Sequence, residues 1–424
     1  MRISRIPVIF FILLVPIFSF SQSPVQLEGK IIDGSNGKPL LYANVSLLKK
    51  SIGTNSDLQG YFKLTLNQLL ESDSLVISFV GFNTKKINII SFLEQSNPNI
   101  ELHPTSLKLS EIVIKPKQLN LKKLMAAVAN RFRETNRKEP HIAQSHYHEW
   151  AKHNNRYIMF TESIGYSIYM GDALDVSPLA KHKFFYENVR KSDRKETWLK
   201  YANPYNDLPL GGSNTLNAYR RFELNGPLSI KNNHKFRYHL DSSYVWQNQW
   251  VHCIKFSKGE EKGEIQIVEN DFSIKRVHLT TRHLWSIHLK KQVKGKLAIE
   301  FNYFDNQPFV SSVEIQYNIA GIAYSNKLTV LSQKFDSFQL TQSDWGAING
   351  NDQEPFINYE PILWEKYLVP EIKGYTNIHH DLSHEERNLD EQFLFNSKKY
   401  HTSKNASSQI EQANHFIDKL KELF

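Results

Sequence analysis

The chain has 424 residues, 40% hydrophobic, 12% aromatic and 22% charged, too apolar for a disordered chain and too long for one ordinary core of ~100–200 residues. Only 18 glycines and 16 prolines beside 19 tyrosines and 26 phenylalanines exclude a collagenous or low-complexity protein and favour strands over a helical bundle. The net charge of +9 is uneven, +10 over residues 118–350 and −5 over residues 351–424. The basic residues lie scattered along alternating segments, with no basic helix or RNA-binding aromatic signature, so no nucleic-acid partner is expected.

Arg2 and Arg5 precede an apolar run from Ile6 to Phe18 and the small residues Ser19 and Ser21, the three regions of a secretory signal peptide, with cleavage expected between Ser21 and Gln22. The run is shorter than the ~20 residues of a spanning helix. No cysteine at the junction offers a lipid anchor, and no second apolar run of spanning length follows. A periplasmic or outer-membrane-associated protein, without a transmembrane segment after cleavage, is the expectation. Cys253 is the only cysteine, so no intramolecular disulfide can form. Its strand-like setting, Trp250 to Phe256, predicts a buried thiol.

Residues 22–117 show short β-type runs separated by turn chemistry: Val25–Asp33, Ala43–Leu48, Ile52–Asn55, Tyr61–Leu64, Ser74–Phe79, Lys85–Ile90, Asn99–Leu102 and Leu109–Ile114. That spacing predicts a small sandwich. Asp57 to Gly60 reads as a turn in which the Asp carboxylate caps backbone amides and Gly supplies positive φ. The succession Glu28-Gly29, Pro39-Leu40, Ala43-Asn44-Val45, Gly53-Thr54-Asn55, Gly60-Tyr61-Phe62 and Ser78-Phe79-Val80-Gly81-Phe82 resembles the carboxypeptidase regulatory-like domain. The resemblance implies a transthyretin-like β-sandwich of the kind carried by exported Bacteroidetes proteins, TonB-dependent outer-membrane receptors among them. It implies an interaction module and no peptidase activity.

Residues 118–350 open with Leu121, Leu124, Met125, Val128 and Phe132 at helical spacing behind Asn120 as N-cap, predicting a helix over about 120–136. His141–His153 and Arg156–Met170, joined at Asn154-Asn155, read as a long hairpin, and 171–233 as an irregular stretch. Strands resume at Lys235–Asp241, Trp250–Ser257, Glu264–Glu269, Ile274–Leu284, Leu289–Phe304, Pro308–Ile319 and Ala323–Leu331. Several exceed ten residues, and antiparallel strands of that length curl. The expected fold class is therefore mainly β: the sandwich, then a curved antiparallel sheet or half-barrel with a packed helix, then a short helical tail. In outline the second region is similar to the one that accompanies the regulatory-like domain in Bacteroidetes proteins and to periplasmic lipoprotein carriers. The likeness implies a hollow able to take an acyl chain or hydrophobic peptide, with Phe301, Tyr303, Phe309 and Tyr317 as aromatic candidates for its wall or for the core.

In residues 351–424, Pro355, Pro361 and Pro370 predict an irregular run to about 380. Ser383-x-x-Glu386 and Ser408-x-x-Glu411 match the capping box, the second ahead of an amphipathic helix over 408–424 expected to dock on this chain. A search for chemistry returns little. His146-Tyr-His-Glu149 has a His-x-x-Glu spacing, but on a strand residues 146 and 149 point to opposite faces, while 146 and 148 share one. His379, His380 and His384 form a second cluster at a helix start. No catalytic, cofactor-binding or metal-ligating residue is assigned and no cofactor is expected. The reading is a non-catalytic envelope protein with an outer-membrane or periplasmic partner; a lipid or lipoprotein carrier is the alternative, and a hydrolase with a site assembled from distant loops the second.

Overall fold

The computed structural model describes residues 25–40, 43–48, 53–57, 59–66, 72–79, 82–95, 98–103, 119–136, 140–171, 177, 181–192, 211–246, 249–286, 291–304, 307–319, 321–334, 339–353, 359–361, 364, 372, 374–383, 387–401, 411 and 414–420. The expected signal peptide, the run Leu109–Ile114, Gly81, His384 and the Ser408 cap lie outside them.

The N-terminal body is a sandwich. β1 (Val25–Asp33) lies between β4 (Tyr61–Leu66) and β7 (Asn99–Leu102) in one sheet, and β3 (Gly53–Asn55), β2 (Asn44–Leu47), β5 (Ser74–Ser78) and β6 (Lys85–Asn88) form the other. Alternate residues of both sheets, including Leu27, Ile31, Val45, Leu64, Leu75 and Ile77, close one core, as pleating requires. Between β3 and β4 the Asp57 carboxylate accepts from the Gln59 and Tyr61 amides at 2.8 Å each, and Gly60 has φ +81°, the expected turn. The end of the Lys85–Ile90 run differs: Asn88 caps a short helix, α1 (Ile89–Leu93).

The second body is built on ten antiparallel strands. β11 (Arg237–Trp246), β12 (Gln249–Lys258), β13 (Glu261–Val268), β14 (Ile274–Ser286), β15 (Lys291–Phe304), β16 (Gln307–Ile319) and β17 (Ile322–Lys334) form a meander. β17 then pairs with β8 (His141–His153), β8 with β9 (Arg156–Tyr169), and β9 with β10 (His182–Lys191). The sheet is strongly curved and does not close. The β8–β9 turn has Asn154 at φ 47° and Asn155 at φ 62°, the paired positive φ of a two-residue hairpin whose twist matches its strands. Among the described residues, a single bridge, Thr54 to Ser332, ties the sandwich edge to β17.

Among the described residues, the concave face holds two helices. α2 (Leu121–Thr135) starts where expected, the Asn120 side chain accepting from Lys123 N at 3.1 Å. Its stripe of Leu124, Met125, Val128 and Phe132 packs on Ile254, Val277, Ile299 and Val313. The second helix, α3 (Gly212–Asn225), and strand β10 both fall in the stretch expected to be irregular, so that reading is corrected. β10 escaped notice because His182–Lys191 buries both faces at its centre and does not alternate. α3 starts at a glycine pair, a poor helix signal in sequence.

Two further corrections concern the tail. α4 (Gln342–Gln353) and α5 (Tyr375–Leu382) are helical where 351–380 reads as irregular. The Ser383 hydroxyl donates back to the His379 carbonyl at 2.6 Å, so Ser383 ends a helix instead of starting one. The capping box is one of Asn388 with Glu391: each side chain takes the other's backbone N–H, at 3.0 and 2.9 Å. It opens α6 (Leu389–His401). The last helical segment, 414–420, docks on its own chain as expected, Phe416, Ile417 and Leu420 packing on Ile142, Ile168, Phe185 and Ile348. Together these segments cover the outer face of β8–β10.

Candidate active cleft of the large sheet

The placement of α3 creates a cleft on the concave face. Its first residues approach the sheet closely. The Gly211 N–H points to Glu149 Oε2 at 3.4 Å, and the Gly212 N–H donates to the Tyr186 hydroxyl at 2.8 Å. The Tyr147 hydroxyl donates to the same Glu149 oxygen at 2.7 Å, and Asn326 Nδ2 donates to both, at 2.8 and 3.2 Å. A Cβ on Gly211 would stand 2.7 Å from the Tyr147 hydroxyl, and one on Gly212 2.7 Å from that of Tyr186. Glycine is therefore required at both by proximity. Burial, then the Glu149 charge, pushes the Tyr147 hydroxyl well above its ordinary range, so it remains a donor. The Glu149 carboxylate, buried at 2% exposure, is thus held by neutral donors and by the N-terminus of α3, where an anion is favoured.

Toward its C-terminal end α3 stands off the sheet and leaves a cavity of about 270 Å³. Phe222, Phe236, Phe256, Leu279, Leu284 and Leu297 line it, all buried and all part of the main core. The exposed Asn225 and His283 and the half-buried Arg221, Lys258 and Glu261 stand at its solvent edge. Lys258 Nζ lies 5.3 Å from the Phe236 ring centre, and Glu261 accepts from the Thr281 hydroxyl at 2.9 Å. An apolar interior with a few charged groups at the mouth is the composition of a small-ligand site.

On the other flank of α3 is a polar cluster. His182 stacks between Tyr169 and Tyr219, with ring centres 4.6 and 5.7 Å away. Burial, reinforced by His141 and Arg220, pushes its imidazole well below the usual range and keeps it neutral. Glu223 takes an ion pair from Arg220 and a hydrogen bond from Asn136. The void among them is about 60 Å³, room for roughly two waters and too small for a substrate.

His146 and Glu149 lie on opposite faces, as strand alternation requires. His146 Nε2 meets Glu162 Oε1 at 2.6 Å on the outer face, beside His148 and at 1% exposure. Arg190 joins them, its Nη2 2.5 Å from Glu162 Oε2. Burial works to raise the Glu162 pKa, but Arg190 and His146 outweigh it and hold the carboxyl at about 2. Burial, aided by the neighbouring His146, lowers His148 to about 3. The Arg190 guanidinium stacks on Trp364 and Phe393 at 4.3 and 5.4 Å, contacts that fasten the tail to the sheet.

Sequence reasoning placed few of these groups. Phe301 and Tyr317 are core residues, the first against Phe132 and Tyr219 and the second stacked on Tyr324 at 5.2 Å. The Tyr303 hydroxyl accepts from Ile274 N at 2.6 Å, and Phe309 lines the small void. His379 and His380 sit on α5, away from the cleft residues, where Asp381 accepts from Tyr157 N at 2.9 Å. Cys253 is buried. The cavity-forming residues of α3 went unseen with the helix itself, although Leu216, Tyr219 and Phe222 recur at helical steps.

Residues 27–114 match the family model of the CarboxypepD_reg-like domain, the family that the turn and glycine motifs resemble. No curated protein matches the chain. Among solved structures, a DUF1329 family protein from Desulfovibrio piger is 9% identical, covering 53% of this chain and 98% of its own, with a TM-score of 0.26. A domain assigned to outer membrane lipoprotein sorting from Vibrio parahaemolyticus is 10% identical, covering 53% and 97%, with a TM-score of 0.25. A LolA superfamily protein from Nitrosomonas europaea is 5% identical, covering 50% and 94%, with a TM-score of 0.20. No helix among the described residues is long and apolar enough to cross a membrane.

Proposed function

We propose that this chain is an exported, non-catalytic envelope protein of the periplasmic side that holds an apolar chain between α3 and the concave face of the large sheet, with the N-terminal sandwich as an interaction module. The carrier alternative is thus preferred to a general binding role. The cavity of about 270 Å³ carries the reading. It lies just under the ~300–1,000 Å³ of ordinary ligand pockets, the size for one acyl chain or the apolar side chains of a peptide. Each methylene moved there from water contributes ~0.8 kcal/mol. The non-catalytic half of the proposal is supported by the use of three acids of the second body: the buried Glu149 anchors a helix, the buried Glu162 anchors the tail, and the half-buried Glu223 is engaged by Arg220 and Asn136.

Protein purified without denaturation is expected to carry acyl chains detectable by mass spectrometry and to bind a fluorescent acyl probe. Ala218→Trp inside the cavity and Asn225→Trp at its mouth should each weaken the probe at least ~10-fold, about 1.4 kcal/mol. Absence of acyl chains together with probe binding indifferent to both substitutions would defeat the carrier reading. Zinc-dependent hydrolysis of peptides by the purified protein would defeat the non-catalytic one.

A further inference from the structure

We propose that the outer face of β11–β16 is a docking groove for an extended acidic peptide segment of a partner protein. This groove, of about 800 Å³, lies on the face opposite the apolar cavity and does not depend on it. Strand pairing builds its first wall: Arg237 faces Ser257, Ser257 faces Lys262, Lys262 faces Thr280, Thr280 faces Lys296, and Lys296 faces Gln316. Every second strand contributes a cation, the strands between contribute neutral polar groups, and the row contains no acid. The second wall is mixed. Its Lys255 is already paired with Asp241, its Glu314 accepts from Gln316 and Ser325, and its Glu264 lies between Lys255 and His278 in the row. Between the walls, Phe256, Leu279 and Leu297 turn their side chains to the core and leave backbone as the floor. A twisted sheet that curls into part of a barrel has a waist, so its outer face is hollow along the strand direction.

Two observations identify the occupant. First, Arg237, Lys262 and Lys296 carry no ion pair among the described residues, whereas the exposed Lys255 and Arg282 pair with Asp241 and Glu260. A row of unpaired like charges in a hollow is complementary to an anion. Second, the spacing has a matching polymer. Alternate strands lie ~9.4–9.8 Å apart, and a polyproline II chain, rising ~3.1 Å per residue with three residues per turn, repeats on one face every ~9.3 Å. Carboxylates at every third residue of such a peptide meet the three cations in register. Six strands span ~24 Å, the length of roughly eight residues in that conformation. A flat anionic bilayer could not reach the floor, and single-stranded nucleic acid binds on aromatic platforms, which the outward rows lack.

The test uses the full mature chain and a labelled peptide of three Glu-Pro-Pro repeats, followed by fluorescence anisotropy. Binding is expected at ~50 mM salt and should fall at least ~10-fold by ~500 mM, where the screening length is only a few ångströms. The double variant Lys262→Glu with Lys296→Glu should weaken it by a similar factor, ~10-fold, while acyl-probe binding stays at its wild-type value. A peptide with its three glutamates in one block should bind more weakly than the spaced one. Failure to bind, binding unchanged in the double variant, or tight binding of polygalacturonate with none of the peptide would each overturn the proposal. Because the acyl probe reports on the opposite face, either function can fail without the other.

Discussion

The exposed half of the outer sheet face, over β11–β16, and the covered half, over β8–β10, share one cross-strand row of side chains. It begins with His239, Lys255, Glu264 and His278, passes Ala298, Glu314 and Lys327, and ends with His148, Glu162 and Arg190. In the open half water solvates each charge and neighbours need no matching. Under α5, α6 and Trp364, the same kind of row survives only as a tight set, with Glu162 between His146 and Arg190 and with His148 neutral. The difference teaches how this molecule divides its labour. Where both faces of the sheet are covered, Glu162 and Arg190 are fixed by partners and hold the architecture; where one face is open, Arg237, Lys262 and Lys296 are left to meet something else.

The sharpest way to break that contrast is to remove one partner from the covered half. Arg190→Met leaves Glu162 buried beside His146 alone and is expected to cost about 3–5 kcal/mol in urea unfolding. Adding Glu162→Leu should recover much of the loss, since a buried pair exchanged for apolar groups is often nearly neutral. Equal instability of single and double variants would show that charge burial is not what Arg190 solves.

A smaller effect is expected with pH. Both folded values are depressed, His148 from 6.5 to about 3 and Glu162 from 4.5 to about 2. Below its ordinary value each group takes a proton in the unfolded chain before it does so in the folded one. The stability these two groups contribute is therefore full above 6.5 and falls as the pH falls, first through His148 between 6.5 and about 3 and then also through Glu162 between 4.5 and about 2. Each group contributes at most ~1.4 kcal/mol per pH unit. His148→Phe should reduce the slope of stability between pH 6.5 and 4.5, above the window of Glu162, and leave the share of His182, which burial also depresses; an unchanged slope there would mean that His148 contributes nothing to it. The smallest effect belongs to the open half, where Lys262→Glu with Lys296→Glu should leave stability within ~0.5 kcal/mol of wild type per site.

Much of the fold was legible because pleating and helical pitch are local. Alternation from Trp250 to Leu331 marked the meander, Asn154-Asn155 marked the β8–β9 hairpin, Asn120 marked the start of α2, and alternation alone separated His146 from Glu149. β10 was not legible because burial on both faces erases alternation. α3 was not because Gly211 and Gly212, adverse for a helix in isolation, are demanded by Glu149, Tyr147 and Tyr186 from distant strands. The apolar cavity vanished from view with α3.

The sequence by itself determined which side chains of each strand share a face and where most of the turns fall, since both follow from a few neighbouring residues. Only the tertiary structure decided which strand lies beside which and in what register. That pairing brings Arg237, Lys262 and Lys296 into one row and Glu162 against Arg190. Register depends on loop closure and on burial summed over the whole sheet, and no short window of residues contains it.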